Sequence, residues 1–226
     1  MKLRFFAGLF ASLSAVHADP QITSWFTANS GQYARIYASS AAETAGTQST
    51  TWNRGAGIQS SPTYADISEI SASTNWVYIR TSGLASHLMG PWPNTFPNFP
   101  SNTATIYRIP RVPTVPATKT STGGGPIGRF VNGVSFFDNR DTFSYVNATA
   151  TEVQNTGDGI WNRDAYVNEA VTFDPALAHQ AGNNYHYHVQ PIALRYQLGD
   201  HVEYNVNQSL HREFLCGHQA LTDHSL

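Results

Sequence analysis

Clusters of proline limit the length of every regular element that this chain can form. Residues 89–102 (MGPWPNTFPNFPSN) hold four prolines among three aromatic residues, and residues 109–128 (IPRVPTVPATKTSTGGGPIG) are rich in proline and glycine. Proline lacks a backbone N–H and fixes φ, so neither a helix interior nor a central strand can run through these stretches. The chain is therefore restricted to short elements joined by long loops.

Between the loops, the pattern of side chains favours strands. Residues 76–84 (WVYIRTSGL) and 104–110 (ATIYRIP) alternate apolar with polar positions, and residues 128–138 predict two short strands around a turn at Asn132 and Gly133. Residues 164–171 are the one segment that favours a helical turn or two, with a strand as the alternative. We therefore expect a mainly β fold, an antiparallel, sandwich-like β-rich domain with long Pro/Gly-rich loops and little helix.

The first residues of the chain predict export. Lys2 and Arg4 precede an apolar run over residues 5–16, and a small residue, Ala18, ends the pattern at a suitable cleavage site. The apolar run is shorter than the roughly 20 residues that cross a bilayer. We therefore expect residues 1–18 to be a signal peptide and the mature protein to be secreted, extracellular or periplasmic, without a membrane span.

The length and charge of the mature chain limit its number of domains and its possible partners. We expect residues 19–226 to form a single β-rich domain in which residues 109–128 are a long loop, with an interdomain linker as the alternative. The formal net charge is −2, which provides no field for attracting nucleic acid, so no nucleic-acid partner is predicted. Cys216 is the single cysteine and is expected to be buried, a metal ligand or left without its pairing partner.

Two histidines lie two positions apart in residues 183–191 (NNYHYHVQP). On a strand, His186 and His188 share one face, whereas Tyr185 and Tyr187, which are possible supporting residues only if one of them faces the metal, share the other. Two strand steps of ~3.3 Å separate the histidine Cα atoms by about 6.5–7 Å, so both imidazoles can reach one metal ion. The alternative is that the pair packs against tyrosines with its ring nitrogens bonded to backbone carbonyls.

A third ligand is needed, because stable metal sites usually take three or four protein ligands. Seven of the nine histidines fall after residue 178. His179 is the preferred third ligand, since it ends a turn-rich connection that can fold back over the strand, and His201 is the runner-up. Copper and zinc are the metals that this ligand type favours.

Two carboxylates upstream of the histidines, Glu169 and Asp174, are predicted to support the site. A carboxylate can ligate the ion or accept a hydrogen bond that fixes the tautomer of a ligating imidazole. Glu169 is the stronger candidate, because the apolar residues around it carry its carboxylate toward the interior, where a partner is required. An ordinary ion pair with Arg163 or Arg195 is the alternative.

Three segments carry a resemblance to a known family: GGPIGRFVNGVSFFD, WNRDAYVNEAVTFDPALAHQ and NYHYHVQPIALR. In this order and spacing they resemble the YHYH-domain family of exported, mostly bacterial proteins, over about residues 107–198. The resemblance implies a β-rich secreted protein of largely unassigned activity, with the motif histidines as suspected metal ligands. The family continues with a His-Ser-Pro segment where this chain has His224 and Ser225, so the resemblance makes His224 a further supporting candidate. It also implies a YHYH-like region of about residues 107–226 that is expected to lack the last part of the family domain, as a fragment or as a shortened member whose site is closed differently.

Three classes of function follow. The first is a metal-dependent enzyme with an open coordination position, and the second is a metal-binding or carrier protein without turnover. The third is a structural or carbohydrate-binding module in which three aromatics of residues 89–102 form a stacking surface, although rings folded back to cap the core are favoured for such a loop: Trp92, Phe96 and Phe99. A serine hydrolase is excluded, because the chain contains no Gly-x-Ser-x-Gly motif.

Overall fold

The computed structural model describes residues 31–154 and 160–200. These residues form twelve short strands in four sheets, with three short helices and one 3-10 turn. The prediction of a mainly β fold with long loops and little helix is thus confirmed. The predictions for residues 1–18, His201, Cys216 and His224 lie outside the described residues.

The strands follow one another along the chain with irregular connections between them. They are β1 (Trp52–Arg54), β2 (Gly57–Gln59), β3 (Ile67–Ala72), β4 (Trp76–Thr81), β5 (Thr105–Pro110), β6 (Pro126–Arg129), β7 (Ser135–Phe137), β8 (Arg140–Val146), β9 (Thr151–Gln154), β10 (Asn162–Asp164), β11 (Ala178–Ala181) and β12 (Asn184–Tyr187). The helices are α1 (Ser40–Thr44), α2 (Ala165–Glu169) and α3 (Ile192–Gln197), and the 3-10 turn Ala170–Thr172 directly extends α2. No helix within the described ranges has the long apolar run that a membrane span requires.

Most of the strand pairing is antiparallel, as expected. Strands β1 and β2 form a hairpin, β3-β4-β5 and β10-β8-β9 form three-stranded sheets, and β11-β12-β7-β6 form a four-stranded sheet. Strands β6 and β7 pair across the turn that contains Asn132 and Gly133, where Gly133 has a φ of 79°. The pairing of β12 with β7 is parallel, and the purely antiparallel expectation misses it because this contact joins strands that are far apart in the sequence.

The four-stranded sheet separates the core from the histidines. Its inner face carries Tyr185 and Tyr187, which are fully buried and pack in the main hydrophobic cluster with Trp92 and Val134. Because side chains alternate along a strand, the opposite face of β12 carries His186. This alternation places the histidines on the side of the sheet that faces α2.

The helical segment forms where the sequence predicted it. Asp164 caps α2, since its side chain accepts a hydrogen bond from the Val167 N–H at 2.9 Å. Helix α2 packs against β8 and β10. This packing brings Glu169, the last residue of α2, to the histidine face of the neighbouring sheet.

The proline-rich loop of residues 89–102 forms neither strand nor helix, but it does not present its aromatic residues to solvent. Trp92 and Phe99 are buried in the core, and the Trp92 indole donates to the Ala178 carbonyl at 3.1 Å. Of the three aromatics, only Phe96 is partly exposed. A stacking surface formed by all three rings is therefore wrong, and Trp92 and Phe99 cap the core as the alternative predicted.

Candidate metal centre

A two-residue turn sets the register of the hairpin that carries three histidines. Ala181 pairs with Asn184 across Gly182 and Asn183, and Gly182 has the positive φ, 60°, that such a turn requires. His179 consequently pairs directly with His186. His179 thus lies on strand β11, which corrects the expectation that it ends a turn-rich connection.

The three imidazoles converge beneath the surface. One ligand atom from each of His179, His186 and His188 lies within 4.8 Å of the other two. The Nε2 atoms of His186 and His188 are 3.1 Å apart. All three residues are buried, with exposed fractions of 7%, 2% and 7%, so this triad is shielded from most of the solvent.

Each Nδ1 atom of the triad has its own hydrogen-bond partner. His186 Nδ1 lies 2.9 Å from the Asn184 carbonyl and His188 Nδ1 lies 2.8 Å from the Asp138 carbonyl. A carbonyl can only accept, so both Nδ1 atoms carry the proton. His179 Nδ1 lies 2.7 Å from Thr172 Oγ1.

The hydroxyl of Thr172 is oriented by a second contact. It donates its own hydrogen to the Glu169 carbonyl at 2.6 Å, so it accepts from the Nδ1–H of His179. In their neutral forms all three imidazoles therefore have a proton on Nδ1 and a free lone pair on Nε2. The three lone pairs point into a shared space with no proton between them.

Glu169 adds a carboxylate to this group. Its Oε2 lies 3.3 Å from His179 Nε2 and 3.2 Å from His188 Nε2. Carboxylate oxygens and unprotonated imidazole nitrogens are all acceptors, and acceptors in contact repel one another unless a positive charge lies among them. The arrangement thus calls for a cation, either a metal ion or a proton.

The pKa directions agree with neutral imidazoles beside an ionised carboxylate. Burial lowers the pKa of His179 and lowers that of His186 well below its usual value. Burial alone raises the pKa of Glu169, but hydrogen bonds and charge from His179 and His188 outweigh it and hold that pKa well below the usual range, an effect that requires a proton or another positive charge at these Nε2 atoms. Neutral imidazole and ionised carboxylate are the forms that ligate metals.

The donor set fits a first-row transition metal. A tetrahedral ion with bonds of about 2.05 Å holds two nitrogen ligands about 3.3 Å apart, close to the 3.1 Å between the Nε2 atoms of His186 and His188. Three histidines are also the protein ligands of one well-known type of catalytic zinc site. The Nδ1 contacts supply the outer hydrogen bonds that metal-bound histidines normally make.

The alternative partners proposed for Glu169 are occupied elsewhere. Arg163 pairs with Glu152 and approaches Asp141, and Arg195 pairs with Asp200 at 2.6 Å. Glu169 instead contacts two triad imidazoles. Its carboxylate is therefore part of the histidine group rather than of an ordinary ion pair with either arginine.

The other upstream carboxylate lies apart from the triad. Asp174 is fully buried and accepts hydrogen bonds from Tyr185 Oη and Gly90 N, both at 2.8 Å, on the core side of the sheet. Tyr187 Oη lies 2.6 Å from His87 Nε2. Of the predicted supporting residues, the structure thus brings Glu169 to the triad, but places Asp174 and both tyrosines in the core.

Sequence reasoning missed Asp141, a carboxyl group next to Glu169. Asp141 lies on β8, its side chain is hydrogen-bonded to Glu169, and burial together with the Glu169 charge raises its pKa. Its neutral form can donate a hydrogen bond to the ionised Glu169. No local pattern singles out this residue, because only the packing of α2 on β8 brings it near the histidines.

A cleft of about 710 Å³ opens beside the triad. His179, His186, His188 and Glu169 line one part of it, together with Asp141. Phe137 stacks on the His186 ring with 3.7 Å between centroids and fixes its plane. A group bound to the triad is therefore accessible to a small molecule.

Fold and site together define a β-rich protein with a buried three-histidine group that can hold a metal ion. The chain belongs to the YHYH protein family: residues 106–217, about half of its length, match the sequence profile of the family described as YHYH protein. No curated protein and no solved structure matches the chain. The family match includes the whole histidine hairpin.

Proposed function

We propose that this protein binds one divalent transition-metal ion, copper or zinc, through His179, His186 and His188. The observation that carries the proposal is the set of Nδ1 hydrogen bonds, which leaves three Nε2 lone pairs converging beside an ionised carboxylate. When bound, zinc supplies Lewis acidity and copper supplies redox chemistry. Three protein ligands leave one coordination position for a substrate.

The residues around the triad support a metal-dependent enzyme rather than a closed carrier site. The cleft reaches the histidines and Glu169 from outside, so a small molecule has access to the fourth position. Glu169 Oε2 borders both the triad and the cleft, and it is the nearest acceptor for a proton released there. Asp141 orients this carboxylate through its hydrogen bond.

We further infer that the protein works outside the cytoplasm. Proteins of the YHYH family are generally associated with secretion, and the N-terminal sequence has the charge and apolar pattern of a signal peptide. In this proposal residues 1–18 are removed and residues 19–226 act as a single β-rich domain.

Metal content tests the proposal. Full-length protein without a histidine tag is reconstituted with copper and zinc in separate samples, freed of excess metal and measured by elemental analysis. About one ion per chain is expected for one of the two metals, and His186→Ala should lose it. His87→Gln is the control, because His87 Nε2 contacts Tyr187 Oη on the core side. A wild-type content near zero would mean that a proton, not a metal, joins the triad.

The role of Glu169 has its own test. Glu169→Gln should weaken metal binding by roughly 10- to 100-fold, the usual effect of removing a group that supports a ligating histidine. Arg163→Gln and Arg195→Gln should leave affinity unchanged, since these arginines pair with Glu152 and Asp200. A Glu169→Gln protein that melts earlier but binds metal normally would assign the carboxylate a structural role only.

A further inference from the structure

The cleft beside the triad has the size of a small-molecule site. Its volume of about 710 Å³ lies within the roughly 300–1,000 Å³ that is usual for ligand pockets. A ligand in this cleft would lie beside the proposed metal ion, so an inference about the class of that ligand rests on the proposed function.

Charge in the cleft disfavours an anion. Arg140 is the one arginine or lysine among the described residues that line it. Its Nε donates to Asp138 Oδ1 at 3.0 Å and its Nη2 donates to the Thr122 carbonyl at 3.2 Å, so its charge is already compensated. Asp141 and Glu169 add carboxyl groups near the triad. Apart from a bound metal ion, which would itself attract an anion to its open position, the lining presents an anionic ligand with carboxyl groups and no free cation to balance them.

Uncharged polar side chains form another part of the lining. Thr142 and Ser144 share one face of β8. Asn162, on the neighbouring strand β10, pairs with Ser144, and Gln154 is the last residue of β9. The Asn162 amide donates to the Phe143 carbonyl at 3.5 Å and the Gln154 amide donates to Thr142 Oγ1 at 3.4 Å. Both contacts are at the limit of hydrogen bonding, and each amide group can make up to four bonds. These amides retain capacity for the hydroxyl groups of a ligand.

Two phenylalanines supply apolar surface next to the polar groups. Phe137 stacks on His186, and the Phe96 ring centroid lies 5.9 Å from that of His179. Both rings line the cleft. A pocket that combines aromatic faces with uncharged hydrogen-bonding groups suits a ligand with C–H faces and hydroxyl edges.

We propose that the cleft binds a neutral, hydroxyl-rich ligand of the sugar or polyol class. Its hydroxyl groups bond to the Asn162 and Gln154 amides, its C–H face packs on Phe96, and one hydroxyl reaches the position beside the triad. Phe96 is the ring of residues 89–102 that takes part, because Trp92 and Phe99 of that loop are buried in the core.

Calorimetric titration of the full chain tests this specificity, with the neutral sugars on the metal-loaded form and the comparison with an anion on the metal-free form, because a bound ion would itself attract a carboxylate. Glucose and cellobiose are the neutral probes, and glucuronate, which differs from glucose by one carboxylate, is the matched anion. The neutral sugars are expected to bind both forms, with glucuronate at least tenfold weaker than glucose on the metal-free form. Asn162→Ala and Gln154→Ala should each weaken neutral-sugar binding roughly three- to tenfold, the effect of one lost hydrogen bond.

Controls separate this inference from the proposed function. Metal content is measured in every sample, and neither Asn162 nor Gln154 contacts the triad, so both variants should load normally. Asn75→Ala changes an exposed amide in the β3–β4 turn and should not affect sugar binding. A chain that takes up no metal overturns both proposals. Only the ligand class is overturned if a loaded chain binds neither neutral sugar or responds equally to Asn75→Ala, or if the metal-free chain binds glucuronate as well as glucose.

Discussion

At the residue scale, the state of each triad histidine is decided by its neighbour. Two Nδ1 atoms face backbone carbonyls, and the third faces the Thr172 hydroxyl, whose own hydrogen is committed to the Glu169 carbonyl. Such contacts fix the ring orientation as well as the tautomer. The lone pairs are therefore oriented before any ion arrives, which reduces the reorganisation that binding requires.

Asp66 is a buried carboxyl group of a different kind, remote from the proposed chemistry. It has a φ of 63°, its Oδ1 accepts from the Ser86 N–H at 2.9 Å, and its Oδ2 has no hydrogen-bond partner among the described residues. Burial raises its pKa from 3.8 to about 7. Between these values the folded state holds a proton that the unfolded state has released, so stability falls as pH rises from about 4 to about 7.

Asp66→Asn should remove this pH dependence. Asparagine keeps the acceptor oxygen, stays neutral and tolerates a positive φ. The variant should exceed the wild type by up to about 4 kcal/mol at pH 8, at about 1.4 kcal/mol per pKa unit, with a much smaller difference at pH 4.5. Urea unfolding at the two pH values measures this. Glu69→Gln, at an exposed carboxylate on β3, is the control, and an equal gain at both pH values would contradict the assignment to Asp66.

At the element scale, the histidine hairpin is anchored to the rest of the fold from its core side. Asp174 precedes β11 and accepts four hydrogen bonds, from Gly90 N, Ala176 N, Ala178 N and Tyr185 Oη. These bonds connect the proline-rich loop, the turn before β11 and strand β12. One carboxyl group thus holds three segments together behind the histidine triad.

Asp174→Ala should destabilise the protein strongly, because it leaves several buried donors without an acceptor. A loss of about 3–5 kcal/mol is expected, which corresponds to a fall in Tm of roughly 6–20 °C for a chain of this size. Asp164→Ala removes the exposed cap of α2 and an exposed hydrogen bond from the Asn139 amide, and should cost about 1 kcal/mol. Thermal melts of both variants measure the difference, and equal losses would show that Asp174 is not an anchor.

At the scale of the whole molecule, a bound ion would join parts of the chain that are distant in sequence. The triad comes from the β11–β12 hairpin, Glu169 from α2, and the Asp138 carbonyl behind His188 from the segment after β7. This set of groups exists only in the folded state. A ligand that binds the folded state alone stabilises it by mass action.

Metal addition should therefore raise the melting temperature. At a free concentration of 100 times Kd the gain is about 2.7 kcal/mol, or roughly 5–10 °C for a chain of this size. Differential scanning fluorimetry with zinc and with copper measures the shift, and a chelator should reverse it. Magnesium, which prefers oxygen ligands, serves as the control ion. A shift that persists in His186→Ala would place the responsible site elsewhere.

Much of the local architecture follows from the sequence because it depends on neighbouring residues. Alternation predicted β4 and β5, and the Asn132 and Gly133 turn predicted the β6–β7 hairpin. The two-step period of a strand placed His186 and His188 on one face and both tyrosines on the other. The position of His179 opposite His186 also follows from a two-residue turn at Gly182 and Asn183, although sequence reasoning placed it in a loop.

Only the tertiary structure decided which groups meet the histidines. Glu169 was a candidate beside Asp174, and the packing of α2 on β8 brought Glu169 to the triad while Asp174 turned to the core. Asp141 and the parallel pairing of β12 with β7 had no local signal at all. Periodicity and turn geometry are set by residues a few positions apart, whereas these contacts span tens of residues and depend on how separate sheets and helices pack together.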